Sequence, residues 1–457
     1  MSEFFKASQP VTPVRCLHLD LKGLPPTSER LLSLLDLLAA ARYNAVLVEW
    51  EDMFPWTCDT RFRCETAYTP EDVVRFRDKA KVLGIEIIPL VQCLGHMQTP
   101  LKFPEYAHLR ELPDHYDVLN PLAEGARVLV EDMIDDILAL LPDVKHFHLG
   151  GDEAWTFGSH PDTKAFIEEH GKGALYMYHV EPLLDKLLAR DIRPILWHDM
   201  MTEWDSASLH KIREKADLCV WGYQGHPDTV APNRHFRTEN IERFKEHGIQ
   251  MWAGTAYKGA DGNDSELPVV ENRLKNMLAW SEVAQRFDMK GVISTAWSRY
   301  NTMITQVEPI DAALDVLVLS AIVLHDGEAP ERGIEACREF LKTVGEYDRF
   351  QACYESVAAF SRLKYAAWEN VRRTRQNLAC AILDPERREP VLYDKWAKSL
   401  AALVARMDTE AQKIQEAFSG LVPDIWISRF TGDRLEPLRH EAEEIADLAA
   451  KVAGSAP

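Results

Sequence analysis

No Cys-x-x-Cys pair occurs among the eight cysteines of this 457-residue chain, at positions 16, 58, 64, 93, 219, 337, 353 and 380. The spacing indicates neither a zinc clip nor a thiol–disulfide motif, and reduced structural thiols in a cytoplasmic protein are the simplest account. Long apolar runs are missing too, so no membrane-spanning segment is expected. The opening residues Met1-Ser2-Glu3-Phe4-Phe5-Lys6 have no signal-peptide core. Positive charge is in short supply: 52 Lys and Arg stand against 72 Asp and Glu, for a net charge of −20. That balance argues against nucleic acid or an anionic membrane as partner through bulk electrostatics. No G-x-G-x-x-G follows any strand-like run, which removes the commonest signature of a dinucleotide-binding open sheet.

Composition is otherwise ordinary for a globular protein, with 46% hydrophobic and 27% charged residues. Short apolar runs alternate with amphipathic stretches. Strands are expected at 14–20, 45–50, 85–91, 144–149, 193–197, 218–222, 249–254 and 291–297, with helices between them and a last one at about 309–325. Eight strand–helix units predict a (β/α)₈ TIM barrel over residues 14–327, after a short lead at 1–13. From 328 to 457 the pattern is purely helical, punctuated by Pro385, Pro390, Pro423 and Pro437. Its apolar stripes suggest a packed C-terminal α-helical region and a possible homodimer through it.

The stretch Val144-Lys145-His146-Phe147-His148-Leu149-Gly150-Gly151-Asp152-Glu153-Ala154-Trp155 concentrates the chemistry. A strand runs into a double glycine that allows a sharp turn, then into adjacent carboxylates. Such a pair at a strand end lies where barrel enzymes keep their sites, and mutual repulsion pushes at least one pKa upward, as a general acid needs. The other strand ends add Asp20, Glu49-Trp50, Gly95-His96, Trp197-His198-Asp199, Trp221-Gly222-Tyr223, Trp252 with Tyr257, and Trp297-Ser298-Arg299-Tyr300. Six of the 12 Trp residues (50, 155, 197, 221, 252, 297) are thus expected at one mouth, an aromatic cup fit for a sugar. Neighbouring acids cannot straddle a glycosidic bond as paired carboxylates usually do. Substrate-assisted hydrolysis resolves this, because a 2-acetamido group on the sugar acts as the nucleophile.

His148-Leu149-Gly150-Gly151-Asp152-Glu153 resembles the H-x-G-G-D-E signature of glycoside hydrolase family 20, the β-N-acetylhexosaminidases. The runs 15–23, 95–97 and 297–300 are similar to the hexosaminidase D-like branch of that family. The resemblance implies a retaining exo-β-N-acetylhexosaminidase acting on terminal β-linked GlcNAc or GalNAc, with neither cofactor nor metal. By the same resemblance Asp152 orients the acetamido group, Glu153 is the general acid and base, and Tyr223 hydrogen-bonds the acetamido oxygen. Trp197, Trp221 and Trp297 form the acetamido pocket and stacking floor. Arg15 and Glu308 grip the distal hydroxyls, and His96 and His148 support the site. Two departures from the family stand out. The domain that precedes the barrel in many members is not expected here, and Thr302-Met303-Ile304 stands where a more polar loop would be. The choice between gluco and galacto sugars stays open.

Two other readings compete. His146 and His148 alternate onto one strand face and, with His198-Asp199, would suit a metal-dependent barrel hydrolase. A non-catalytic sugar-binding barrel would use the aromatic cup without needing the paired acids.

Overall fold

Each barrel strand is covered on both sides, by the lumen and by a helix, so these strands read as short, nearly continuous apolar runs. The computed structural model describes residues 4–301, 305–384, 386 and 388–454. In chain order the strands are β1 (Val14–Asp20), β2 (Ala45–Glu49), β3 (Glu86–Leu90), β4 (Arg110–Leu112), β5 (His115–Leu119), β6 (His146–His148), β7 (Arg193–Trp197), β8 (Asp217–Trp221), β9 (Met251–Lys258) and β10 (Gly291–Ala296). Eight of them close a parallel barrel in the order β1-β10-β9-β8-β7-β6-β3-β2, while β4 and β5 form a separate antiparallel pair in the loop after β3. The (β/α)₈ expectation holds.

Local chemistry fixes the surrounding helices. Thr27 caps the helix Ser28–Ala40 through the Arg30 N–H, and Thr69 with Asp72 forms a capping box at the head of Pro70–Val82. The lumen is packed with Cys16, Leu47, Ile88, Ile195, Trp197, Cys219, Trp252 and Ile293. Its lower end carries a polar plug: Arg193 and Trp252 both donate to Asp217, and His146 joins Glu86 to Lys290.

Beyond the barrel, the helices Ile334–Thr343, Tyr347–Leu383, Pro390–Ala417 and Asp424–Gly454 follow one another, and the last three build their own core around Phe360, Leu378, Leu400, Met407 and Phe430. Pro437 does not end its helix as expected. It lies inside Asp424–Gly454, where Phe430, Leu438 and Ile445 keep one apolar face buried along the helix. Buried Glu266, in the loop after β9, joins this region to the barrel: Lys364 and Arg434 reach its Oε1 at 2.6 and 2.7 Å. Among the described residues no helix is long and apolar enough to cross a membrane.

Candidate active site

The turn after β6 is built for its glycines. Gly150 and Gly151 have φ of 60° and 83°, and a Cβ on them would lie 1.8 Å from Gln92 Oε1 and 2.2 Å from the Tyr176 hydroxyl. The backbone is then pinned on three sides. Trp197 N–H donates to Gly150 O at 3.0 Å, Tyr176 OH to Gly151 O at 3.2 Å, and Glu153 N–H to Asp199 Oδ2 at 3.0 Å. Asp152 and Glu153 thereby face a cavity of about 300 Å³ at the C-terminal end of the barrel.

His96 stands between the two acids, its Nε2 3.5 Å from Asp152 Oδ2 and 3.5 Å from Glu153 Oε2. Burial raises the Asp152 carboxyl above the usual carboxylate range despite the opposing pull of His96. Burial also acts on Glu153, but there His96, Arg299 and His235 outweigh it and hold the carboxyl low. The upward shift expected of the pair thus falls on Asp152. Burial alone would lower His96; the two carboxylates overcome it and raise the imidazole well above its ordinary value. His96, Asp152 and Glu153 are also, among the described residues, the one cluster of three such side chains able to hold a metal ion, with ligand atoms within 4.8 Å of one another.

Aromatic residues close one side of the cavity. Tyr223 stacks on Trp221 at 5.2 Å, with Trp297 6.2 Å from Tyr223. The helix Val270–Arg286 fixes this segment, since Asn276 Nδ2 and Trp280 Nε1 both donate to Gly222 O. The opposite side is polar. Lys22 Nζ bridges Asp20 and Glu49 at 2.8 and 3.1 Å, Gln92 adds a bond to Glu49, and Thr99 donates to Glu51. Burial pushes Glu51 up to about 8. Four of the eight described non-glycine residues with positive φ line this cavity: Glu51, His96, Glu153 and Arg299. Strained backbone gathered at one place is characteristic of a working site.

The structure brings Asp152, Glu153, Tyr223, His96, Trp221 and Trp297 together on the cavity wall. Other expectations need correction. Arg15, second residue of β1, points away from the lumen at the lower end, where its guanidinium donates to the carbonyls of Thr12, Pro13 and Arg42. It cannot grip a sugar at the mouth. Glu308 is fully buried, accepting from Gly259 N–H and Ser265 OH, and braces loops instead of lining the cavity. Trp197 is buried beneath Trp297, 6.0 Å between centroids, so it supports the floor without facing the cavity. His148 lies against Trp197 with Nδ1 accepting from Gly150 N–H, and burial lowers it to about 3. Of the remaining Trp residues, Trp155 is 75% exposed and Trp50 packs among Phe54, Tyr68 and Phe76. Trp252 sits in the lower lumen because β9 runs four residues beyond its expected end, to Lys258. The metal reading falls with His146, which the bottom plug occupies on both ring nitrogens.

Sequence reasoning assigned no role to Lys22, Glu51, Gln92 or Arg299, and placed Asp199 only in the metal-dependent reading. Asp199 and Arg299 stood at strand ends and could have been found there; Glu51 lies two residues past one. The loop Thr302-Met303-Ile304 lies outside the described residues.

Residues 13–235 match the family profile described as "Glycosyl hydrolase family 20, catalytic domain". The chain is 31% identical to hexosaminidase D of Bos taurus over 339 residues, 72% of this chain and 96% of that protein. It is 30% identical to hexosaminidase D of Homo sapiens over 358 residues, 76% of this chain and 72% of that protein. Among solved structures, Flavobacterium johnsoniae chitobiase is similar in fold, with a TM-score of 0.56 at 14% identity over 97% of this chain and 71% of that one. A β-N-acetylhexosaminidase from Bacteroides fragilis gives 0.55 at 15% identity over 74% and 72%. Sequence kinship and barrel geometry agree: the chain is a glycoside hydrolase and belongs to glycoside hydrolase family 20.

Proposed function

We propose that this enzyme is a retaining exo-β-N-acetylhexosaminidase that releases terminal, non-reducing β-linked GlcNAc or GalNAc by substrate-assisted catalysis. One observation carries the reading: adjacent Asp152 and Glu153 share a single imidazole, His96, in a cavity of single-sugar size. Enzymes that use two of their own carboxylates place them at least about 5 Å apart across the bond. The other acids in the cavity are poorly placed to be the nucleophile. Asp20 and Glu49 are tied to Lys22, and burial raises both Glu51, to about 8, and Asp52. The substrate's acetamido group is the nucleophile that this arrangement supports.

In that reaction Asp152 orients the acetamido N–H and stabilises the positive oxazolinium ring as the acetamido oxygen closes on the anomeric carbon. Glu153 gives a proton to the departing oxygen, then takes one from the water that opens the ring. Two inversions leave the configuration retained. The proton reaches Glu153 from His96, whose Nε2 lies 3.5 Å from Oε2. Tyr223 donates to the acetamido oxygen, while Trp221 and Trp297 enclose the methyl group and stack on the ring. With Arg15 at the other end of the barrel, hydroxyl recognition passes to cavity groups such as Lys22 and Arg299.

Hydrolysis of an aryl 2-acetamido-2-deoxy-β-glucoside, compared with the plain aryl β-glucoside, tests the reading. Rapid cleavage of the first alone is expected. Equal cleavage of both would sink acetamido participation.

A further inference from the structure

A second cavity of about 210 Å³ adjoins the first and shares Asp52, Lys102 and Tyr300 with it. Its outer wall belongs to the C-terminal region, from Trp426 and Arg429 near the head of the helix Asp424–Gly454. Three cations line it: Arg63, Lys102 and Arg429. Among the described residues none of the three has a carboxylate oxygen within 4 Å, in a chain whose net charge is −20. Neutral groups hold them instead. Arg63 Nε donates to Trp56 O at 2.6 Å, and Arg429 Nη1 donates to the Tyr300 hydroxyl at 2.8 Å with its guanidinium 4.9 Å from the Trp426 ring centroid. Lys102 Nζ lies 5.3 Å from the Phe103 ring centroid. Such contacts fix direction without neutralising charge and leave further N–H groups to donate.

Two carboxylates share this annex. Glu65 is exposed, and Asp52 keeps a buried Oδ1 without a hydrogen-bond partner among the described residues. Three cations against two carboxylates leave a formal excess of one positive charge. That balance suits a single anionic group surrounded by hydroxyls and not a polyphosphate. The annex wall includes none of His96, Asp152, Glu153, Trp221 or Tyr223, so whatever binds there is held away from the scissile bond.

We propose that this annex is a subsite for one anionic group, a sulfate ester or a carboxylate, carried by the glycoside whose terminal sugar occupies the catalytic cavity. The inference rests on the glycosidase reading above. It gives the C-terminal helical region a part in substrate choice, since Arg429 comes from that region.

Matched substrates test it. One pair is the aryl 2-acetamido-2-deoxy-β-glucoside with and without a 6-O-sulfate; the other is the amino sugar β-linked to glucuronate or to glucose. The wild-type enzyme should favour the anionic member of at least one pair by about tenfold in kcat/KM, the scale of one charge-assisted contact. The double variant R63Q/R429Q should lose that preference and keep hydrolysis of the neutral aryl glycoside within about twofold. A response in the sulfate pair puts the anion on the terminal sugar, and one in the uronate pair puts it on the leaving sugar. No preference in either pair, or one that survives in the double variant, overturns the proposal. Calorimetric titration of both proteins with the same anionic and neutral sugars needs no turnover. Arginine-dependent anion binding without any hydrolysis would therefore sink the glycosidase reading alone, and hydrolysis without anion preference would sink the annex alone. Both arginines are exposed, so thermal melting should show the variant folded.

Discussion

Asp199 holds Glu153 by its backbone: the Glu153 N–H donates to Asp199 Oδ2 at 3.0 Å, while Trp221 Nε1 donates to Oδ1 of the same carboxylate at 3.1 Å. One side chain thus ties the acid after β6 to the indole that ends β8. Glu153 sits at φ 45°, which costs a non-glycine residue about 1–2 kcal/mol and makes the tether consequential. Burial and the Asp152 charge push Asp199 up to about 7. In D199N an amide NH₂ would face one of the two donors. We expect kcat on the 2-acetamido glycoside to fall about tenfold, with KM within about threefold and a melting temperature near wild type. An unchanged kcat in steady-state assays would remove Asp199 from this positioning role.

The pH dependence follows from the His96 set. In the proposed mechanism Asp152 must be ionised to hold the developing oxazolinium, and its raised pKa places the acid limb of kcat/KM above the ordinary aspartate value of 3.8. In the same proposed mechanism the proton destined for the leaving group resides on His96, whose raised pKa places the alkaline limb above 6.5. A bell whose limbs both lie above the ordinary values of the two groups is the expected profile. H96N removes the cation that lowers both carboxyls, so its acid limb should move to higher pH. A titration from pH 4 to 10 that finds the limb unmoved would break the link between His96 and the acids.

The barrel was legible because period and punctuation agree along most of the chain: short apolar runs, several of them opened by a glycine or proline as at Pro13, Gly84, Gly248 and Gly291, alternate with amphipathic helices. The site was legible where glycines force the chain to the mouth, as at Gly150-Gly151-Asp152-Glu153. Height within the lumen was not legible. Trp252 and Trp221 both stand near the expected ends of their strands, yet β9 continues through Tyr257 and Lys258, leaving Trp252 donating to Asp217 at the bottom. Arg15 failed for a related reason. Alternation sends Cys16, packed in the lumen core, inward and its neighbour Arg15 outward, and a motif match carries no such direction. Lys22, Glu51 and Gln92 meet only when β1, β2 and β3 lie side by side, a long-range pairing that no local spacing announces.

Arg15 therefore belongs to stability. Its N–H groups satisfy three carbonyls below the barrel, at 2.8 Å to Thr12, 3.1 Å to Pro13 and 2.8 Å to Arg42. R15A should cost about 2–3 kcal/mol of folding free energy, because these buried acceptors lose a charged donor. KM for the 2-acetamido glycoside should stay within about twofold of wild type. Chemical denaturation beside steady-state kinetics separates the two effects, and a large rise in KM with stability intact would return Arg15 to the sugar.

The two adjacent acids should be separable by leaving group. If Glu153 supplies the proton, E153Q should lose about 10²–10⁴-fold on glycosides of poorly acidic alcohols, the usual contribution of a general acid. On an aryl glycoside whose phenol leaves readily, much of that loss should vanish from the bond-breaking step. In the proposed mechanism Asp152 acts earlier and differently, since it would hold the acetamido group against the anomeric carbon whichever oxygen departs. D152N should therefore lose activity on both substrate types by similar factors. Measuring kcat/KM for each variant across a series of phenols of rising pKa gives two slopes, steep for E153Q and close to wild type for D152N. Parallel lines would mean that His96 or solvent delivers the proton directly, and that the side chain at 153 is held in its strained turn for some other task.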